Sequence, residues 1–525
     1  MSPHEKRTGR INIERLRQGG EIRGEGREKT GRAPAILLAM FFALLIILLI
    51  QAEYTEFFTN SKGLPLIALA GIGLLVFVVS SIAAAYISKF QPEVRESRAS
   101  LFTFGLLVAF ILLAAKLFAV FNWSNYLIPV SFITMILALV YSQIFAIQTT
   151  VGLCVFIAIN VTPAQTVQFN VELFFVLLTG ALVAAFGVGH IENRTRLIRV
   201  GVLAGIGNAA AILGWRLAFH GEALTKGFES GLLAGFAAQP AKNLGDDMFL
   251  GFANGVLVGF LFSGLLPFIE KIFRITTDIS LIELSDQNQP ILRQFFLKAP
   301  GSYQHALIVG NLSEAAANAI DANPFLARVG AYFHDIGKIT RPEYFTENEP
   351  IMGSRHLKLS PAMSTLIITA HVKDGVELAE ELGLPPKVID IVRTHHGTSR
   401  IEYFYFKAKK EAEKDALLTV VDEASFRYPG PRPALKEAGI VMLADSVEAV
   451  SRTLDEPTPK RIEDTVESII NRKITDGQLD DSGLTLTDLK KIKTAFSMVL
   501  VSFFHNRIKY PWQTEQQKSP APQQP

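Results

Sequence analysis

The sequence predicts an all-α protein in two successive parts, a polytopic helical membrane domain of about eight spans and then a cytosolic all-α bundle. Three observations predict it. The first half of the 525-residue chain supplies one apolar run after another, each close to the roughly 20 residues that a bilayer-spanning helix needs. From about Thr276 charged and apolar residues alternate with helical period, and helix start and stop signals become frequent. Strand signals are scarce in this second part. Composition agrees: 49% of residues are hydrophobic and 19% charged, with a mean hydropathy of +0.29. That is too apolar for an ordinary soluble protein and excludes disorder for most of the chain. With 51 Lys+Arg against 49 Asp+Glu, no bulk positive charge points to a nucleic-acid polymer as partner. The one cysteine, Cys154, leaves no intramolecular disulfide and no thiolate cluster, so any metal falls to His and carboxylates.

Spans are expected near 34–52, 65–88, 101–121, 126–143, 146–161, 171–190, 199–218 and 248–270, with one broken hairpin as the alternative for the fourth and fifth. The first run, from Pro34, follows about thirty polar residues without a small-residue cleavage pattern, and reads as an anchor in the lipid bilayer. Lys and Arg near the spans set orientation. The N-terminal arm, 1–33, holds nine against five Glu, and the loops after the second and sixth spans carry Lys89, Arg95, Arg98 and Arg194, Arg196, Arg199. The alternate loops at 51–63 and 160–170 hold one Lys between them. Eight spans from a cytoplasmic N-terminus return the chain to the cytoplasm at Lys271 and Arg274, whereas seven would export its second half. Lys116, His190 and Arg216 fall near span ends, where snorkelling is the simple reading and a transport pathway the alternative. No Asp or Glu lies mid-span, which weakens a proton-coupled transporter. The stretch 219–247 reads as re-entrant or surface-lying.

In the second half, Asn323-Pro324 caps and starts the helix FLARVGAYFHDI, which ends at Gly337. Ser360-Pro361 repeats the device before AMSTLIITAH, and Pro385-Pro386 starts KVIDIVRTHH, stopped by Gly397. Closing helices follow at 459–472 and 487–508, the second capped by Thr487, before a Gln/Pro-rich tail with too little apolar surface to fold. The implied domains are the arm 1–33, a membrane domain 34–273, a linker helix 274–300, a catalytic bundle 301–455, packing helices 456–510 and the tail 511–525.

Six of the ten histidines fall between 305 and 396: His305, His334, His356, His371, His395 and His396. The helix signals put His334, His371, His395 and His396 at or near helix C-termini, with Asp335 beside His334. Imidazoles and a carboxylate converging in an interior are costly without a cation, so the pattern points to metal. Mn(II) and Fe(II) accept imidazole with carboxylate, and a pair of such ions can clamp both oxygens of an in-line displacement at phosphorus and lower the pKa of bound water. Asp335 is the natural bridge. Asp445, in the apolar helix IVMLADSVEAV, is a second acid that is expensive to bury unless it ligates or pairs.

The ordered set His305, His334-Asp335-Ile336-Gly337-Lys338, His371, His395-His396 and Asp445 resembles the HD superfamily of metal-dependent phosphohydrolases. More closely, APGSYQHALIVGNLSEAAANAI, LARVGAYFHDIGK, IITAHVKDG, RTHHGTSRIEYFYFKAK, FRYPGPRP and MLADSVEA resemble the seven-transmembrane HD family, the PgpH-type cyclic-di-AMP phosphodiesterases. The resemblance implies that His305, His334, Asp335 and Asp445 hold one divalent ion, and that His371, His395 and His396 hold a second, with Asp335 bridging. It implies that Lys338 lies near a substrate phosphate, stabilising charge in the transition state. Tyr303, Arg393 and the run 403–407 follow as contacts to phosphate or adenine, and His356 as a supporting or surface residue.

Family membership further implies hydrolysis of cyclic di-AMP to linear pApA by a multi-pass protein of the cytoplasmic (inner) membrane with its catalytic domain in the cytoplasm. A homodimer is compatible with the pattern. Cyclic-di-GMP-cleaving relatives carry a GYP motif after His-His-Glu; here Gly397 follows His396, which favours cyclic di-AMP. The departure is the short segment 52–63, where many members carry a large extracellular domain, so that domain's sensing role does not transfer. Two alternatives stay open: phosphohydrolysis of another nucleotide (cyclic di-GMP, dGTP or an alarmone), and a non-catalytic nucleotide-binding membrane receptor.

Overall fold

The computed structural model describes residues 98–160, 169–189, 193–229, 244–348, 355–413 and 421–504, together with Leu74. The arm 1–33, the first expected span, the second apart from Leu74, His190 and the tail 511–525 lie outside the described residues. The described chain is helical, its one β-type pairing an isolated bridge between Arg400 and Arg427. It divides into two compact units, with the boundary along the chain between Ile279 and Ser280.

The N-terminal unit contains α1 (Arg98–Val120), α2 (Val130–Val140), α3 (Gln143–Asn160), α4 (Val171–Gly187), α5 (Arg194–Glu229) and α6 (Leu244–Phe273). Among the described residues, three stretches are long and apolar enough to cross a bilayer: Phe102–Val120, Arg194–Phe219 and Leu244–Phe273. The span expected at 126–143 is instead the 11-residue α2, entered through Pro129; at 1.5 Å per residue it reaches only about 16 Å. Tyr141 and Ser142 alone separate α2 from α3, so two of the expected spans form a short packed hairpin. Helices α5 and α6 touch through their backbones: a Cβ at Gly255 would stand 2.2 Å from the Gly205 nitrogen, close packing of the kind small residues permit.

Arg216 does not snorkel. Its Nε donates to Glu172 Oε1 at 2.9 Å and its Nη2 to Asp247 Oδ2 at 3.0 Å, while the Tyr126 hydroxyl donates to the same Glu172 oxygen at 2.8 Å. In the stretch expected to be re-entrant, α5 continues as helix to Glu229, and 230–243 lie outside the described residues.

The linker expected at 274–300 is two short helices, α7 (Asp278–Leu284) and α8 (Pro290–Lys298). The C-terminal unit continues with α9 (Pro300–Ala319), α10 (Pro324–Phe333), a 3-10 turn (Ile336–Thr340), α11 (Pro361–Glu381), α12 (Pro386–Thr394), α13 (Glu402–Ala412), α14 (Lys436–Ser451), α15 (Pro459–Thr475) and α16 (Leu486–Phe504). Helix α9 runs through the middle, packed by α8, α10, α14 and α16, and Phe295, Phe333 and Phe496 are fully buried in the shared core. Asn323 and Ser360 cap α10 and α11 by accepting from Leu326 N and Met363 N. Thr487 is not the cap of α16. Thr485 is: its Oγ1 accepts from Asp488 N while Asp488 Oδ2 accepts from Thr485 N, both at 3.1 Å, a reciprocal capping pair.

His371 corrects a second expectation. It lies mid-way along α11, which runs on to Glu381 because HVKDGVELAEE keeps helical period through Gly375. Gly375 does not end the helix. Gly337 seats its backbone against α11 there, where a Cβ would lie 2.0 Å from the His371 carbonyl, so the turn after His334-Asp335 is pressed onto the helix that carries His371.

Candidate metal centre

Five elements aim polar groups at one buried point. Helix α9 brings His305, the end of α10 brings His334 and Asp335, α11 brings His371, the end of α12 brings His395 and His396, and α14 brings Asp445. The donor atoms form two groups, Asp335 with His371, His395 and His396, and His305 with His334 and Asp445, each within 4.8 Å. Asp335 touches both: Oδ1 lies 3.3 Å from His371 Nε2 and 3.8 Å from His395 Nε2, and Oδ2 lies 3.3 Å from His334 Nε2 and 3.7 Å from His305 Nε2. His396 Nδ1 faces Asp445 Oδ2 at 3.5 Å. Every one of these residues comes from a single chain.

The backbone fixes which ring nitrogen is offered. His334, His371 and His395 each donate Nδ1–H to the carbonyl three residues earlier, of Ala331, Ile368 and Val392, at 2.6, 2.6 and 2.8 Å. A carbonyl only accepts, so in the neutral rings Nε2 carries the lone pair and points inward. The Nε2 atoms of His371 and His395 are 3.3 Å apart, and His334 Nε2 and Asp335 Oδ1 are buried without a hydrogen-bond partner. Facing lone pairs and an unsatisfied carboxylate oxygen repel one another unless a cation lies among them. The residues present therefore fit divalent metal.

Electrostatics prepare the same state. Burial, reinforced by the neighbouring His334 and His371, pushes His395 down to about 3, and burial likewise lowers His371 and His396. These rings are neutral, the form that ligates. Burial alone would raise Asp335, but the neighbouring His334 and the Lys338 ammonium hold it well below the usual carboxylate range; Asp445 is held low by its hydrogen bond with His305 and by the neighbouring His396. His305 differs. Burial lowers it, yet hydrogen bonds to Asp445 and Glu448 lift it to about 10, so a cation would have to displace a proton from its Nε2.

Lys338 spans two acids, with Nζ 2.7 Å from Asp335 Oδ2 and 2.8 Å from Glu347 Oε1, and lies over the Phe345 ring. Tyr303 and Arg393 are not brought to this centre. Tyr303 packs on Phe295 and Phe296, and Arg393 reaches Glu380 at 3.4 Å on the exposed side of α12. The run 403–407 also stays outside the adjoining cleft, and Phe404 packs on buried His356, whose Nε2–H donates to the Tyr344 carbonyl at 2.8 Å.

Sequence reasoning missed three contributors. Glu448 is buried and accepts from His305 Nδ1 at 2.5 Å; its signal was its place three residues after Asp445, on the same helix face. Glu347 accepts from Lys338 and from Ser302 Oγ. Tyr428 stacks on His396 with ring centres 4.1 Å apart. Beside His396, Asp445 and Tyr428 opens a cleft of about 770 Å³, whose far wall includes Arg472 and Lys473 of α15.

Residues 66–277 match the family described as 7TM receptor with intracellular HD hydrolase, and residues 302–450 match the HD domain. Cyclic-di-AMP phosphodiesterase PgpH of Bacillus subtilis (strain 168) is 34% identical over 475 residues, which are 89% of this chain and 63% of that protein. The protein of the same description from Listeria monocytogenes serotype 1/2a (strain 10403S) is 33% identical over 86% of this chain and 60% of its own length. The chain thus spans somewhat under two thirds of these relatives. Among solved structures, the L. monocytogenes PgpH HD domain in complex with cyclic-di-AMP is 41% identical, covering 42% of this chain and all of that one, with a TM-score of 0.40. Matches to the family described as 7TM receptor with intracellular HD hydrolase and to the HD domain thus follow one another along this one chain.

Proposed function

We propose that the chain is a membrane-anchored phosphodiesterase that hydrolyses cyclic di-AMP to linear pApA and so sets the level of that second messenger. The observation that carries the reading is Asp335, a buried carboxylate whose Oδ1 faces His371 and His395 and whose Oδ2 faces His334 and His305, with His334 Nε2 and Asp335 Oδ1 lacking hydrogen-bond partners. The two curated relatives described by this activity supply the substrate. An even number of spans from a cytoplasmic N-terminus, in the inner membrane, would leave the C-terminal unit facing the cytosolic nucleotide.

His305, His334, Asp335 and Asp445 would hold one divalent ion, and Asp335, His371, His395 and His396 the other. Mn(II) or Fe(II), which suit mixed imidazole and carboxylate donors, would supply charge neutralisation at the phosphate and a nucleophilic water near neutral pH. The chain's own groups do the positioning. Backbone carbonyls of Ala331, Ile368 and Val392 hold three rings by their Nδ1–H, and Glu448 holds the fourth. Lys338, kept protonated by Asp335 and Glu347, offers an ammonium to a non-bridging phosphate oxygen as charge develops. One P–O bond forms from water and the bond from phosphorus to the 3′ oxygen breaks, leaving a 5′-phosphate.

The test is product analysis with the full chain in detergent, loaded with Mn(II) and given cyclic di-AMP or cyclic di-GMP. Linear pApA from cyclic di-AMP, absent with Asp335→Ala, is the expected result. Turnover of cyclic di-GMP alone would move the reading to another nucleotide, and binding without product to a receptor.

A further inference from the structure

Four cations line the cleft beside the metal centre, and three are already neutralised. Arg400 pairs with Glu423 at 2.8 Å and Glu402 at 3.1 Å, Arg427 pairs with Glu423 at 2.7 Å and Asp476 at 2.9 Å, and Arg472 pairs with Glu402. The fourth is Lys473. Its Nζ has a hydroxyl partner, Ser399 Oγ at 2.8 Å, and no carboxylate within ion-pair distance among the described residues. The nearby acids are committed elsewhere: Asp476 and Glu402 to those arginines, and Asp445 to His305 at 3.1 Å. Burial lowers the affinity of the Lys473 amine for its proton, against the pull of Asp445 and Asp476. An ammonium in such a place gains from an anion that enters with the substrate.

The position of this amine is set by the metal site itself. Ser399 N donates to the His396 carbonyl at 3.0 Å, so the hydroxyl that holds Lys473 belongs to the turn leaving a proposed ligand. Lys473 comes from α15, beyond the segment matched as an HD domain. Resting on the proposed dinucleotide hydrolysis, we infer that Lys473 Nζ and Ser399 Oγ form a seat for the second phosphate of a cyclic dinucleotide, the one not being cleaved. The two phosphates lie on opposite sides of one small ring, so a substrate with its reactive phosphate at Asp335 and Lys338 must put the other into the cleft. Helix α15 would thereby make the site one for dinucleotides rather than for any phosphodiester.

The experiment compares cyclic di-AMP with bis(p-nitrophenyl) phosphate, a diester with a single phosphate, on the Mn(II)-loaded full chain. Lys473→Gln is expected to raise KM for cyclic di-AMP about tenfold, the loss of one charge-assisted contact, while moving KM for the single-phosphate diester less than about twofold. Lys473→Arg, which keeps the charge, should recover most of the loss, and Ser399→Ala should show the same selectivity with a smaller effect. Equilibrium binding of cyclic di-AMP to metal-free protein should weaken in parallel. Equal losses on both substrates, equal losses in Gln and Arg variants, or no loss at all would overturn the seat. Wild-type turnover of the single-phosphate diester without turnover of cyclic di-AMP would instead overturn the dinucleotide reading beneath it.

Discussion

The two units bury charge in opposite ways. In the N-terminal unit, Arg216 lies between Glu172 and Asp247, with Tyr126 on the same carboxylate, and Asn254 Nδ2 donates to the carbonyls of Tyr126 and Ile128. The charges there answer one another. In the C-terminal unit the arginines that line the cleft are likewise paired, but the metal centre beside it is not: His334 Nε2 and Asp335 Oδ1 stay without partners, and two imidazole lone pairs face each other. A closed polar network needs nothing further and serves the fold. An open one keeps its cost because something from outside completes it.

The largest effect should come from the shared carboxylate. Asp335→Asn keeps the shape and removes the charge, and should lower turnover of cyclic di-AMP by about 10³-fold or more, while the metal-free protein unfolds no more easily. Loss of folding in parallel with activity would show that the centre is saturated after all. Next comes Glu448→Gln, which leaves His305 in place but weakens the acceptor on its Nδ1. Mn(II) affinity, measured by titration, should fall about 10- to 100-fold, and unchanged affinity would remove Glu448 from the metal's support.

Arg216→Gln provides the contrast. It strands Glu172 and Asp247 and should destabilise the N-terminal unit by about 1–3 kcal/mol, the cost of leaving a partly buried charge without its partner. A thermal melt in detergent checks this, with Mn(II) affinity expected to be unchanged. The smallest effect concerns pH. His395, at about 3, and His371 are depressed below the ordinary value near 6.5, so the unfolded chain takes up their protons before the native one does. The stability of metal-free protein should therefore fall as pH drops from about 6.5 toward 3. Saturating Mn(II) should steepen that dependence, since protons now compete with metal. A flat melting temperature between pH 6.5 and 5 would count against neutral, inward-facing rings.

Much of this was legible because its signals are local. Apolar runs, proline starts and the caps Asn323 and Ser360 stand in consecutive residues, and His334-Asp335 and His395-His396 announce themselves as pairs. What escaped depends on neighbours far along the chain. Gly337, 34 residues earlier, seats its backbone against α11 at His371, a contact that no local pattern announces. Glu448 matters through His305, which lies 143 residues away, and Lys473 differs from Arg472 in having a hydroxyl and, among the described residues, no carboxylate at ion-pair distance. Arg393, expected to contact phosphate or adenine, instead reaches Glu380 on the exposed side of α12. Hydropathy found the apolar segment at α2 but not its length, because Pro129 and the preceding turn consume residues that a full span would need.

The most direct measurement is metal content matched to turnover in one preparation of the full chain. Purified without chelator, wild type should hold two divalent ions per chain; stripping them should abolish pApA formation, and Mn(II) should restore it, whereas Asp335→Asn should retain fewer ions and no activity. Undiminished hydrolysis by fully stripped protein, or an Asp335→Asn chain that binds two ions as tightly as wild type, would contradict the account.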